Sequence, residues 1–358
     1  MKNILKQALI LTVMLIFAGS FASAAKMKVG FIYIGPPGDH GWTYAHDQSR
    51  LEVENMLGSH VETTYIEGVP EGPDAERAIA KLAETGHKLI FTTSFGYMEP
   101  TIKVAKRFPD VYFEHATGYK QAKNVATYSA RFYEGRYVQG VIAGKMSKSG
   151  VSGYIASFPI PEVVRGINSF MLGAQTQNPN IKVKIVWVYT WFDPPKEADA
   201  AKVLMDQGAD IITQHTDSTA ALQAAADRGI YAFGQASDMI KFAPSTQLTA
   251  ILDNWGAYYV MRTADAMMGT WKGGGDTWHG MKEGMVGMAP FTNMPTDVAN
   301  LARETMESIR SKKFHPFTGP VYDQSGKLRI KDGEVPGDHP MLTTMNWYVK
   351  GIDDKLPE

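Results

Sequence analysis

The chain has 358 residues, a net charge of −1 at neutral pH and no cysteine. These properties exclude disulfides, thiolate metal sites, cysteine nucleophiles and the acylated N-terminus of an exported lipoprotein, and the lack of a basic stripe argues against nucleic acid as a partner. The length accommodates two domains of ordinary size.

Residues 1–24 read as a cleaved signal peptide. Lys2 and Lys6 precede an apolar run over residues 8–18, and Ala22-Ser23-Ala24 supplies a small-x-small cleavage pattern. The run is too short for a membrane helix, which needs about 20 apolar residues. A periplasmic location without a membrane anchor is expected.

Past that segment, short β-branched and aromatic runs alternate with helical periodicity. Strands are expected over residues 29–34, 61–66, 89–93 and 111–115, with helices over 43–57, 74–85 and 100–107 between them. The pattern then starts again. Helices over 134–145, 163–177, 199–207 and 219–228 alternate with strands over 151–158, 183–188, 211–213 and 231–233. Two βα series of comparable size predict an α/β fold of two lobes with parallel sheets. In such sheets, ligands sit at the carboxyl ends of the strands. Residues 272–278, rich in glycine, read as a surface turn, and the Met-rich residues 281–288 as containing a core strand.

The loops after the strands are unusual in composition. They hold Asp39 and Trp42, then Phe95 and Tyr97, and in the second series Phe158, Trp191, Asp217, Gln235 and Asp238. Large rings recurring at strand ends point to a flat ligand that stacks. Asp39 is also placed to cap the helix that follows it. Neither GxGxxG nor GxxxxGK[ST] is present, and Asp39 puts negative charge where a phosphate would bind, so a nucleotide is disfavoured. There is no GxSxG, no HExxH, and His40 and His46 share no helical face well. No enzyme activity, metal or cofactor is expected.

Gly30-Phe31-Ile32-Tyr33 leading into Gly38-Asp39-His40-Gly41-Trp42-Thr43 resembles the N-terminal motif of the basic membrane protein family. So do Phe132-Tyr133-Glu134-Gly135-Arg136-Tyr137, Gly208-Ala209-Asp210-Ile211-Ile212 and Gly234-Gln235-Ala236-Ser237-Asp238. That family comprises solute-binding components of ATP-driven importers, related to purine nucleoside receptors. The resemblance implies a type I periplasmic-binding-protein fold: residues 26–130 with 246–290 in one lobe, and 131–245 with 291–358 in the other. Crossovers are expected near residue 130, near 238–246 and near 290. It also implies a small-molecule ligand and a membrane permease as partner; a monomer is expected.

By position, the resemblance makes Trp42 and Trp191 the stacking pair, with Asp39 facing a purine base and Asp238 on the opposite wall. Phe95, Tyr97, Phe132 and Phe158 would line the walls, with Asp217 and Gln235 in the cleft. One departure is informative. Where nucleoside-binding relatives have Thr-Ser-x-x-Lys, this chain reads Thr249-Ala250-Ile251-Leu252-Asp253. Asp253 in place of lysine shifts the expectation from a purine nucleoside toward a free base such as adenine. The alternatives are a sensing receptor with the same cleft, or a binding protein for a sugar or small aromatic acid.

Overall fold

The computed structural model describes residues 25–357; the segment read as a signal peptide lies outside them. The first lobe is a six-stranded sheet in the order β11-β5-β4-β3-β1-β2. Its strands are β1 (Met27–Ile32), β2 (Val61–Ile66), β3 (Leu89–Thr92), β4 (Tyr112–Ala116), β5 (Val125–Ala130) and β11 (Asp276–His279), all paired in parallel. Helices α1 (Trp42–Leu57), α2 (Pro73–Glu84) and α3 (Met98–Arg107) connect them. Central strands such as β3 and β5 are buried throughout, whereas the edge strand β2 is partly exposed. Helices on both faces of a parallel sheet impose that pattern.

The second lobe repeats the plan. Its sheet runs β12-β10-β9-β8-β6-β7, and only β12 is antiparallel to its neighbour. The strands are β6 (Val151–Ala156), β7 (Lys182–Trp187), β8 (Ile211–His215), β9 (Tyr231–Gly234), β10 (Gln247–Asp253) and β12 (Val286–Met288). Helices α4 (Phe132–Met146), α5 (Pro161–Gln177), α6 (Pro194–Asp206) and α7 (Ala220–Asp227) cover it. Helices α4 and α5 touch backbone to backbone. A Cβ at Gly140 would stand 2.0 Å from the carbonyl oxygen of Phe170, and one at Gly144 2.2 Å from that of Ala174. Only glycine permits that approach.

Three expectations from the sequence differ from the structure. The second crossover follows β10 at residues 254–255, so residues 246–253 belong to the second lobe. There α8 (Gly256–Met268) returns to pack on α1. The third crossover lies at residues 280–285, ahead of β12, which also stays with the second lobe. Both boundaries move because the β-branched and aliphatic run Leu248-Thr249-Ala250-Ile251 completes the second sheet instead of leaving it. The third difference concerns the glycine-rich turn. Its end, Asp276–His279, is a strand beside β5, where the Trp278 indole N–H donates to the carbonyl of Ala130 at 3.0 Å and Arg131 covers the ring. Of the core strand expected within residues 281–288, only β12 forms, an edge strand in which Val286 alone is buried.

Candidate functional site

In both sheets the strand order reverses next to the first strand of its series, between β1 and β3 in one lobe and between β6 and β8 in the other. Loops diverge at such a switch point and leave a crevice at the carboxyl ends of the strands. The two crevices face each other. Between them lies a narrow, partly open cleft, lined by Ile34, Trp42, Ser94, Phe95 and Thr117 from the first lobe, and Glu162, Trp191, His215, Asp217 and Gln235 from the second.

Each wall is anchored by a tryptophan. Trp42 opens α1, and its indole N–H donates to the Thr93 carbonyl at 2.7 Å. His46, one turn on, packs edge-on behind the ring at 4.4 Å between centroids, and Phe132 and Trp255 close around it at 5.9 and 5.5 Å. Trp191 sits in the loop after β7, backed by Phe158 at 5.1 Å. The backbone carbonyl of Trp191 accepts the N–H of Asp217 at 3.0 Å, which ties its loop to the one after β8. Glu197 fixes that second loop by accepting from the Ser218 N–H at 3.1 Å and its hydroxyl at 2.7 Å.

The floor is acidic and poorly satisfied. One carboxylate oxygen of Asp217 and both of Asp253 are buried without a hydrogen-bond partner among the described residues. Burial first, and then the charges of Asp39, Glu197 and Asp253, push the Asp217 carboxyl well above the usual range. Burial raises Asp253 likewise, opposed by the charge of Arg136. Arg136 is fully buried on α4; its guanidinium donates to the side-chain oxygens of Gln235 and of Gln139, the latter at 3.0 Å. Next to it, the His215 Nε2 lies 3.4 Å from the Glu162 carboxylate, and burial depresses that imidazole's pKa.

Of the residues singled out from the sequence, Trp42, Phe95, Trp191, Asp217 and Gln235 line the cleft. Phe132 and Phe158 stand behind the two tryptophans. Asp253 ends β10, buried, within charge range of Asp217 and Arg136. Three residues serve elsewhere. Tyr97 is fully buried, its hydroxyl donating to the Val69 carbonyl at 2.5 Å, so it belongs to the core of the first lobe. The Asp39 carboxylate accepts the backbone N–H groups of Gly41, Thr43 and Tyr44 at 2.8, 2.9 and 2.9 Å, which makes it the cap of α1, and its charge reaches Asp217 in the cleft. Asp238 is exposed and accepts from the Ile240 N–H and the Gln247 amide at 3.1 and 2.7 Å.

Arg136, Glu162 and Glu71 are not singled out as site residues by the sequence, and His215 stands out there only beside Asp217 as an acid-base pair without a nucleophile. Arg136, Glu162 and His215 sit on helices or at a strand end, where their periodicity is that of ordinary elements. Arg136 lies within one of the family motifs, and an arginine in the first turns of a helix that is buried from Phe132 to Gly144 is the available signal.

The described residues include no helix long and apolar enough to cross a membrane. Residues 26–325 match the model of the Bmp family, the ABC transporter substrate-binding proteins of PnrA-like type. The chain belongs to this family. The family is one of substrate-binding proteins, not of enzymes, and membership implies a small-molecule ligand and a permease partner. The chain is 65% identical to a purine-binding protein of Brucella abortus over 340 residues, 95% of this chain and 97% of that one. It is 34% identical to a putative ABC transporter glucose-binding protein of Haloferax volcanii, over 95% of this chain and 83% of the other. An ABC transporter solute-binding protein of Aeropyrum pernix superposes with a TM-score of 0.71 at 18% identity, covering 88% of this chain and 95% of that one; at that distance the likeness shows the fold.

Proposed function

We propose that this substrate-binding protein captures a purine in the interlobe cleft, the free base ahead of the nucleoside, and delivers it to an importer from the periplasm. The observation that carries the reading is the cleft's combination of two tryptophans from opposite lobes with an unpartnered buried carboxylate oxygen on Asp217, behind which Asp253 is buried with both oxygens unpartnered and within charge range. A purine base offers two stackable faces and several N–H donors on its rim. Each N–H that reaches a carboxylate makes a charge-assisted hydrogen bond and relieves an oxygen that is costly to bury alone. The 65% identity to a purine-binding protein supports the same class of ligand. A carboxylate at residue 253, where nucleoside-binding relatives carry lysine, favours a base over its riboside.

A second reading has one observation behind it: the 34%-identical relative is named for glucose, and sugar sites also stack on tryptophan. Calorimetric titration separates the two. Adenine, guanine and hypoxanthine are expected to bind with submicromolar Kd, inosine and guanosine more weakly, and glucose not at all. Tighter binding of a nucleoside than of every base overturns the preference, and glucose binding without purine binding overturns the ligand class.

A further inference from the structure

The two lobes meet on both sides of the cleft. On one side the Ser237 hydroxyl donates to the His40 carbonyl and the His40 and Phe242 rings lie 4.8 Å apart. On the other, the carboxylate of Glu71 makes a junction. Glu71 lies in the first lobe, in the loop between β2 and α2. One of its oxygens accepts the Ser94 hydroxyl at 2.6 Å, the Gly96 N–H at 2.9 Å and, from the opposite lobe, the indole N–H of Trp191 at 3.2 Å. The first two bonds are local and fix the carboxylate against the loop that carries Phe95. The third exists only when the lobes are together.

We infer that Glu71 is an interlobe latch and a positioning residue for Trp191. The inference rests on the reading of Trp191 as a wall of the ligand site. An indole N–H aimed at a fixed carboxylate leaves the ring one orientation about its bonds to the backbone, so the plane offered to the ligand is set from across the cleft. The same bond resists opening. The ring that touches the ligand therefore also carries the closure contact, and correct seating of one assists the other. Hydrogen bonds to charged acceptors are the stronger ones in protein surroundings, strong enough to matter in an equilibrium between open and closed lobes. Loss of the bond acts after encounter, so it speeds ligand release and leaves association unchanged.

Trp191→Phe keeps a ring and removes the N–H, which separates latching from stacking. The chain has no cysteine, so cysteines placed at His40 and Ser237, the contact on the other side of the cleft, are the sole pair that can form a disulfide. Their rate of oxidative pairing reads lobe closure with or without ligand. In that background Trp191→Phe and Glu71→Ala are each expected to slow pairing severalfold and to raise the adenine dissociation rate by about five- to tenfold, the scale of one lost hydrogen bond. The double variant should be no worse than the poorer single one. Glu71→Gln, which retains an acceptor oxygen, should recover at least half of both losses. Pairing and dissociation rates unchanged in Trp191→Phe, or effects that multiply in the double variant, overturn the latch. Absence of adenine binding by the unsubstituted protein would instead overturn the purine reading, and pairing rates without ligand would then decide the latch alone.

Discussion

Gly41→Ala tests whether the lobes close on a ligand as the structure places them. Gly41 precedes α1 in the first lobe, and a Cβ there would lie 2.1 Å from the backbone oxygen of Asp217 in the second. Contacts of this kind do not fall below 3.0 Å, so an added methyl forces the lobes apart by about 0.9 Å at this point. At the Trp191–Glu71 hydrogen bond, now 3.2 Å, such a separation exceeds bonding range, a loss of about 0.5–1.5 kcal/mol. A radial gap of about 0.5–1 Å also forfeits roughly a quarter to a half of each dispersion contact in ring pairs worth about 0.5–1.5 kcal/mol. Together these give about 1–2 kcal/mol, or adenine binding roughly five- to thirtyfold weaker. Calorimetry measures the affinity, and thermal unfolding without ligand supplies the control, since the contact is made between lobes and not within one. Undiminished affinity would refute the closure geometry. An equal loss of ligand-free stability would show that the methyl damages a lobe instead.

Burial pushes the Asp39 carboxyl up to about 6 against the pull of the backbone N–H groups it caps. Between the unfolded value near 3.8 and about 6, the folded chain holds a proton that the unfolded chain does not, so this group's contribution to stability falls as pH rises through that window and is flat above it. The difference in melting temperature between the unsubstituted protein and Asp39→Asn should therefore change across pH 4–6 and level off toward pH 7; a difference that is constant throughout contradicts the assignment. Tyr97→Phe should cost about 1–3 kcal/mol of stability by stranding the Val69 carbonyl, with adenine affinity unchanged in the same preparation. Asp238→Ala should leave adenine affinity within about twofold, because the carboxylate it removes is exposed and spent on its own turn. A tenfold loss by calorimetry would return Asp238 to the cleft.

The fold was legible because parallel strands buried on both faces read as unbroken apolar runs, and their helices fall between them at regular spacing. Strand β2 coincides with its expected bounds, and most others agree within a residue or two. Within the two six-stranded sheets, the strands that escaped were β5, β10 and β11, where Thr, Ser, Gln and Asp interrupt the run and burial is supplied by neighbours far along the chain. Both misplaced crossovers follow from that failure. The site was legible where a side chain's type already implied exposure to a ligand, as with Trp42, Phe95 and Trp191 at strand ends. It was not legible where one residue type serves two ends. Asp39 and Asp238 look like ligand carboxylates in the sequence and prove to be a cap and a turn residue, while Tyr97 looks like a cleft ring and donates inward. Direction of a side chain within a loop depends on backbone angles that spacing does not encode.

The acidic floor gives closure its dependence on ligand. With the lobes together, Asp217 and Asp253 keep three carboxylate oxygens away from water and without donors among the described residues. Such groups cost roughly 1–3 kcal/mol each when neutral and more when charged, and hydration in an open cleft removes most of that cost. The interlobe contacts at Glu71, His40 and Gly41 oppose it. A ligand that brings N–H groups to those oxygens turns the main obstacle to closing into a contribution that favours it, and the tryptophans then stack on a molecule already held at its rim. A sugar hydroxyl can donate to the same oxygens, yet its weaker hydrogen bonds offset less of the penalty and it offers no π-face to Trp42 or Trp191. On this account Asp217→Asn should raise ligand-free stability while lowering adenine affinity. A variant that loses both would show that Asp217 serves the fold and not the ligand.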